Sequence, residues 1–485
     1  MITIKEQLLS GIFFTAISKY TGMLISLVVS AILARLISPD DFGVIAIATV
    51  IITFFGIFSD LGIAPAIIQH KELTNIDLSN IFSFTVWMGV IISSSFFLAS
   101  WFIAHYYNNH SLLSICQWLS IELFFASANI VPDAMLFKNK LFKFIATRSL
   151  IIQLFGGTLA ISAALMGAGL YALIINPILS GILIFVVSFR KFPQKLKFKL
   201  GFVSMKKIFK FTFYQFLFNV INYFSRNLDK LLIGKYMGMS PLGYYEKSYR
   251  LMMLPLQNIT HVVSPVMHPI FSEYQNDYKK LSSSYEKIVH FLAFIGFPLS
   301  VFLYFTAKEI TLIIFGDQWM PSVSVFQILS LSVGIQIILS TSGSIFQAAN
   351  STKILFISGL ISTILNVSAI FIGIFNFKQL EAVAWGLFIS FTISFIQSYL
   401  LMYKITFKLP IYTFCKQFIS PLILSGIIYL SLLGISIIDS QYNILLSLLL
   451  KGFIYIFIFV IYIQHTNEYD IYKRVRKSIT KKNNQ

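Results

Sequence analysis

Residues 215–235 read QFLFNVINYFSRNLDKLLIGK, a stretch long enough to cross a bilayer yet striped with polar groups. Gln215, Asn219, Asn222, Arg226 and Asp229 recur at steps of four, three, four and three, which puts all five on one helical face. Leu217, Phe218, Val220, Ile221, Phe224 and Leu228 cover the other side. A membrane helix with an arginine and an aspartate on one stripe turns that stripe toward a bundle interior or a water-filled cavity. Such groups often mark a substrate or ion path. A simpler reading stays open from the residues alone: Arg226 and Asp229 neutralise each other between packed helices.

The rest of the chain fixes the class. Of 485 residues, 57% are hydrophobic and 12% charged, against roughly a quarter charged in soluble domains. Fifty phenylalanines and apolar runs parted by short polar gaps predict an all-α, polytopic membrane protein. The alternating ten-residue pattern of a barrel is missing. Cys116 and Cys415 lie in or beside apolar segments, form no motif and imply no disulfide framework. The apolar run reaching Leu36 is too long for a signal-peptide core and reads as an uncleaved first span.

Runs of about twenty apolar residues predict spans near 8–36, 42–66, 79–106, 111–133, 144–167 and 169–189. A second set follows near 208–235, 241–269, 288–315, 321–349, 354–376 and 380–403, and a last pair near 412–437 and 443–464. That makes fourteen. Basic residues test the topology. They gather at the N-terminus, in the tail and in loops after even-numbered spans, whereas only Arg35, Lys235, Lys308 and Lys378 flank loops on the opposite side. By the positive-inside rule, both termini are cytoplasmic. The net charge of +18 is therefore mostly a topology signal. Its natural partner is anionic membrane lipid, and nucleic acid is not expected.

The expected organisation is a six-helix lobe over 1–190, a basic cytoplasmic linker over 191–207 and a second six-helix lobe over 208–404. A two-helix hairpin over 405–464 and a basic tail over 465–485 complete it. An internal repeat agrees with this division. Arg35 precedes Gly43 by eight residues in RLISPDDFG, and Lys235 precedes Gly243 by eight in KYMGMSPLG. Six spans per half give both halves the same orientation, a parallel repeat about an axis along the membrane normal.

Seven basic residues fall within spans: Lys19, Arg148, Arg226, Lys230, Lys247, Arg250 and Lys451. Asp60, Glu122, Asp229 and Glu246 join them, leaving the interior net cationic. Lys451, Lys247 and Lys19 lie near enough to span ends to snorkel. Arg226, Lys230 and Arg250 do not. The eighth span has its own stripe of Glu246, Arg250, Gln257, His261, Ser264 and His268, and the second offers Thr49, Thr53, Gly56 and Asp60 on one face. A cationic cavity suits a large anionic ligand, since arginine forks onto phosphate oxygens. Asp229, Glu246 and Asp60 are the ion-coupling or salt-bridge candidates, and a purely structural ion-pair network is the competing reading. Two histidines without a carboxylate cluster do not predict a metal. Asp40 and Asp41 in SPDDFG read as helix capping. No phosphate-binding loop or nucleophile elbow is present, so no catalytic residue and no cofactor is expected.

LARLISPDDFGVIAIA (33–48), FSDLGIAPAIIQ (58–69), RNLDKLLIGKYMGMSPLGYYEKSYRL (226–251) and FGDQW (315–319) together resemble the Wzx-like polysaccharide and O-antigen flippases. These belong to the superfamily of multidrug, oligosaccharidyl-lipid and polysaccharide exporters. The 226–251 stretch is the most specific, and the resemblance covers nearly the whole chain. It implies two lobes of six helices plus a peripheral pair around a cationic cavity that opens alternately to either side. It further implies a flippase of undecaprenyl-diphosphate-linked oligosaccharide units in the bacterial inner membrane, serving O-antigen, lipopolysaccharide, capsule or exopolysaccharide biosynthesis without ATP hydrolysis. A proton or sodium counter-ion and the polysaccharide polymerase machinery are the further partners implied. Arg226, Lys230, Arg250 and Asn222 are the expected substrate-binding residues. The dense arginine cluster of lipid II flippases has no obvious equivalent here. A MATE-like ion-coupled exporter is the nearest alternative, although a cationic interior is the wrong sign for its usual cationic substrates. A membrane polymerase or ligase would carry a large extracellular loop, and a scaffold would not need polar stripes through successive spans.

Overall fold

The computed structural model describes residues 4–60, 63–70, 72–197, 223, 227–272, 274–275, 277–438 and 443–466, with backbone only at 4–13, 60, 261–266, 268–270, 272 and 438. Among these residues every regular element is helical. The first helices are α1 Ile4–Leu36, α2 Pro39–Asp60, α3 Ile63–Gln69, α4 Asn75–Tyr107, α5 Ser111–Lys138, α6 Phe142–Leu165 and α7 Ala172–Lys191. A helical run over 227–236 leads into α8 Met239–Ser272. Then come α9 Tyr278–Phe305, α10 Ala307–Phe315, α11 Met320–Ser330, α12 Val333–Ala348, α13 Thr352–Phe371, α14 Leu380–Leu401, α15 Tyr412–Lys416, α16 Ile419–Ile438 and α17 Ile444–Thr466.

Among the described residues, eleven helical segments are long and apolar enough to cross a membrane, or twelve if α11 and α12, bent by 53°, form one span. The expected seventh span, near 208–235, lies largely outside the described residues. Several helices outrun their apolar cores. Helix α4 starts at Asn75 because Thr74 and Asp77 cap each other: Asp77 N donates to Thr74 Oγ1 at 3.2 Å and Thr74 N to Asp77 Oδ2 at 3.1 Å. Helix α9 starts ten residues before its apolar run, where Lys280 N donates to Asp277 Oδ1 at 3.0 Å. The SPDDFG turn is a cap, as its sequence suggests. Asp41 N donates to Ser38 Oγ at 3.2 Å, and Ser38 Oγ donates to Asp41 Oδ2 at 2.7 Å. Of the span expected at 42–66, α2 supplies the part up to Asp60 and α3 the part from Ile63, while residues 61–62 lie outside the described residues.

Two compact units emerge, residues 1–246 and 247–485, with the boundary inside α8. In the first, α5 packs against α4 and α7, and α6 against α1. Ile63, Ile67, Leu78, Ile81, Phe82 and Val131 form one of its buried clusters. In the second, α9 contacts α12 and α16, and α13 contacts α14. Phe294 on α9 joins Leu424, Ile428 and Leu432 of α16 in a cluster flanked by Tyr455 and Phe459 of α17.

The two glycines of the repeat meet inside the first unit. The N-terminal turns of α2 and α8 cross so closely that Gly43 lies against Met239 and Gly243 against Pro39. Ser240 Oγ donates to Asp40 Oδ1 at 3.1 Å beside the crossing.

Candidate functional site

The run 227–236 and the start of α8 are joined by a two-residue turn, Met237–Gly238, with Gly238 at φ 105°. That backbone angle is open to glycine and strained for most other residues. The turn folds the two segments side by side, so residues sixteen apart in sequence come together. Lys230 Nζ lies 2.7 Å from Glu246 Oε2, and both side chains are partly sheltered, at 18% and 29% exposure. One residue earlier, Asp229 is buried. Its Oδ2 accepts from Tyr245 Oη at 2.6 Å, and its Oδ1 accepts from the Lys230 amide at 2.8 Å. Both carboxylates of the pair thus have a named donor or cation, as buried charge in a low-dielectric bundle requires.

Neighbouring helices hold this pair of segments. Tyr223 Oη donates to Val50 O of α2, and its ring lies 5.9 Å from Phe54. Tyr107 Oη at the end of α4 donates to Leu231 O at 3.3 Å. Lys235 Nζ donates to Tyr106 O and sits 4.3 Å over the Tyr106 ring. Gly234 is pressed against Ile47, where an added Cβ would stand 2.5 Å from Ile47 Cδ1.

Of the sequence candidates, Asp229, Lys230 and Glu246 are brought together. Arg250 is half-buried one turn further along α8, in the second unit. Asn222 and Arg226 lie outside the described residues, as do the side chains of Asp60, His261, Ser264 and His268.

Two lysines expected to snorkel do otherwise. Lys247 is 2% exposed, with its Nζ 5.0 Å over the Phe315 ring and 5.5 Å over Trp319. These aromatics belong to the FGDQW segment, which therefore roofs a buried cation in the second unit. Lys451 of α17, 3% exposed, pairs with Glu309 of α10. Glu309 Oε1 also accepts from Ser447 Oγ at 2.7 Å, and Lys451 Nζ donates to Phe305 O at 3.2 Å. Arg148 makes a third buried network: it donates to Asp133 Oδ1 at 2.9 Å and to Ser188 Oγ. Glu309 and Asp133 did not stand out in the sequence. Each has its basic partner on a different helix, so no single stripe shows the pair.

The profile of a family described as "Polysaccharide biosynthesis protein" matches residues 32–324. The teichuronic acid biosynthesis protein TuaB of Bacillus subtilis is 25% identical over 451 residues, covering 91% of this chain and 92% of its own. The lipopolysaccharide biosynthesis protein WzxC of Escherichia coli is 25% identical over 376 residues, 77% of this chain and 76% of its own. Among solved structures, the lipid II flippase MurJ in an inward closed conformation superposes with a TM-score of 0.72 at 19% identity, over 93% of this chain and 98% of its own. An inward-facing MATE family transporter superposes with a TM-score of 0.62 at 13% identity, over 78% and 93%. At these identities both structures speak to the fold alone.

Proposed function

The chain belongs to the polysaccharide biosynthesis protein family, and we propose that it is a flippase moving undecaprenyl-diphosphate-linked oligosaccharide repeat units across the bacterial cytoplasmic membrane. The units would serve O-antigen, lipopolysaccharide, capsule or exopolysaccharide assembly, and the protein performs transport and no covalent chemistry. The observation that carries this reading is the charged cluster of Asp229, Lys230 and Glu246, built into helices of a family chain whose fold is shared with a lipid II flippase. Lys230, with Arg226 and Arg250, receives the diphosphate; Asn222 hydrogen-bonds the substrate. Asp229, Glu246 and Asp60 tune those cations and carry the coupling proton or sodium ion.

The working topology has fourteen spans, cytoplasmic termini and two six-helix lobes over 1–190 and 208–404. A linker over 191–207 joins the lobes, and a peripheral hairpin lies over 405–464. The eleven or twelve candidate spans among the described residues support it, together with the 34-residue α8. Rocking of one lobe against the other about a shared site would alternate access. Membrane lipids surround the bundle, and the polysaccharide polymerase machinery is the partner that would take the delivered unit.

The test is translocation of a fluorescent undecaprenyl-diphosphate oligosaccharide in proteoliposomes, beside Arg226→Ala, Lys230→Ala and Arg250→Ala. Rapid transport by the unmodified protein, lost in folded variants, is expected. If all three variants transport normally, the charges are structural. If no lipid-linked sugar moves even with imposed ion gradients, a MATE-like small-molecule exporter replaces the flippase reading.

A further inference from the structure

Non-helical backbone runs along a membrane helix in the first unit. After α7 the chain leaves helical geometry at Phe192, and residues 193–197 lie against α4. The Lys197 amide donates to Ser83 Oγ at 2.8 Å, and Lys197 Nζ donates to Asn80 Oδ1 at 2.9 Å. Trp87 Nε1 donates to Lys197 O at 3.4 Å. Asn80, Ser83 and Trp87 follow at steps of three and four, so they form one row along α4. Ser83 is buried and Asn80 and Trp87 are half-buried, so the row on α4 faces protein. Non-helical backbone beside a membrane helix persists where protein encloses it or where it lines a water-filled cavity.

The attachment is polar and shallow. No residue from 192 to 197 is fully buried, and Leu196 is 48% exposed. Ser83 Oγ donates to Ser79 O at 2.7 Å, with the Lys195 carbonyl at 3.5 Å as a longer acceptor, and it accepts from the Lys197 amide. What the segment lends the row is an amide, a carbonyl and an ammonium. A saccharide offers the same donors and acceptors through its hydroxyls, and its ring face packs on an indole. An amide, a hydroxyl and an indole converging on one interior face are the few placed polar groups that fix a ligand's orientation.

We propose that Asn80, Ser83 and Trp87 form a saccharide subsite which the chain's own segment 193–197 occupies as a removable strap, displaced when the sugar portion of the transported lipid enters. The assignment rests on the flippase reading and names where the first unit receives the oligosaccharide.

A disulfide between Ser83→Cys and Lys197→Cys, made after Cys116→Ser and Cys415→Ser remove the native thiols, holds the strap in place. Oxidation is expected to slow translocation of the fluorescent undecaprenyl-diphosphate oligosaccharide at least about tenfold. Reductant restores the rate, and each single cysteine is insensitive to oxidation. Cross-linked protein that transports at its reduced rate overturns the proposal. Cysteine-free protein with Asn80, Ser83, Trp87 and Lys197 intact that moves no lipid counts against the flippase reading, and the strap is then decided without transport. Spin labels at Lys195→Cys and Ile91→Cys are expected to report two distance populations, shifted toward the longer by Trp87→Phe. A single distance in both proteins shows a fixed segment and ends the proposal.

Discussion

Gly43 and Gly243 hold the N-terminal turns of α2 and α8 in reciprocal backbone contact. A methyl group on Gly43 would stand 2.6 Å from the Met239 carbonyl carbon, and one on Gly243 3.0 Å from that of Pro39, with the carbonyl oxygens closer still. Each glycine meets the residue four before the other, the reciprocity expected of a two-fold-related crossing. Backbone cannot swing aside as a long side chain can. Gly43→Ala and Gly243→Ala are each expected to lower stability by about 1–3 kcal/mol or more through overpacking. Gly343→Ala and Gly426→Ala, where an added Cβ meets nothing within 4 Å, are expected to be neutral or to gain about 0.5–1 kcal/mol as helix formers. Thermal melting of the four variants in one detergent checks the contrast.

This crossing was partly legible in the sequence. The eight-residue spacing from Arg35 to Gly43 and from Lys235 to Gly243 marked a repeat of turn and helix start. That the two copies touch was not legible, because a repeat fixes orientation and not contact.

Lys230 and Glu246 offer a way to separate substrate binding from charge balance. Removing Lys230 alone leaves Glu246 partly buried without its cation, so Lys230→Ala is expected to lose both stability and transport. In Lys230→Ala/Glu246→Ala the orphaned charge is gone, and the melting temperature is expected to recover most of the loss. Transport is expected to stay low, since the proposed diphosphate contact is still absent. A double variant that recovers transport along with stability would assign Lys230 to Glu246 alone.

Tyr245 is the donor that completes Asp229. In Tyr245→Phe the ring and its packing remain while Asp229 Oδ2 loses a 2.6 Å hydrogen bond in a buried setting. Leaving such an acceptor unsatisfied costs about 1–3 kcal/mol, more when it is charged. The expected outcome is a lower melting temperature for Tyr245→Phe that Asp229→Asn/Tyr245→Phe largely restores.

Lys247 beneath Phe315 and Trp319 explains why the FGDQW segment stood out without a visible chemical role. The cation lies 68 and 72 residues before the two aromatics, so neither stripe nor spacing joined them. Hydropathy gave the apolar spans among the described residues, because that signal is local and periodic. Pairs assembled across helices carry no such period. The strap on α4 was hidden for the same reason: a basic linker reads as a cytoplasmic loop, and its docking on Asn80 and Ser83 is a tertiary fact. A double-mutant cycle with Lys247→Met and Trp319→Leu is expected to return a coupling of about 0.5–2 kcal/mol, the range of a desolvated cation–π contact. Additive effects would show that burial alone accounts for the lysine.

Glu309 and Lys451 fasten the last helix to α10. They lie 142 residues apart, and each side chain is almost fully buried, at 5% and 4% exposure. A lone buried charge is far less tolerable than the pair, so Lys451→Met is expected to cost about 3–5 kcal/mol by stranding the carboxylate. Glu309→Gln/Lys451→Met removes both charges while Gln keeps a hydrogen-bonding group for Ser447, and it is expected to recover most of that loss. Guanidinium or thermal unfolding of the three proteins decides it. The outcome separates two roles for the hairpin α16–α17. If the double variant is stable and still transports, the pair is an anchor that apolar packing can replace. If it is stable but inactive, the charges at this site take part in the transport cycle, and the hairpin is a working part of the second unit.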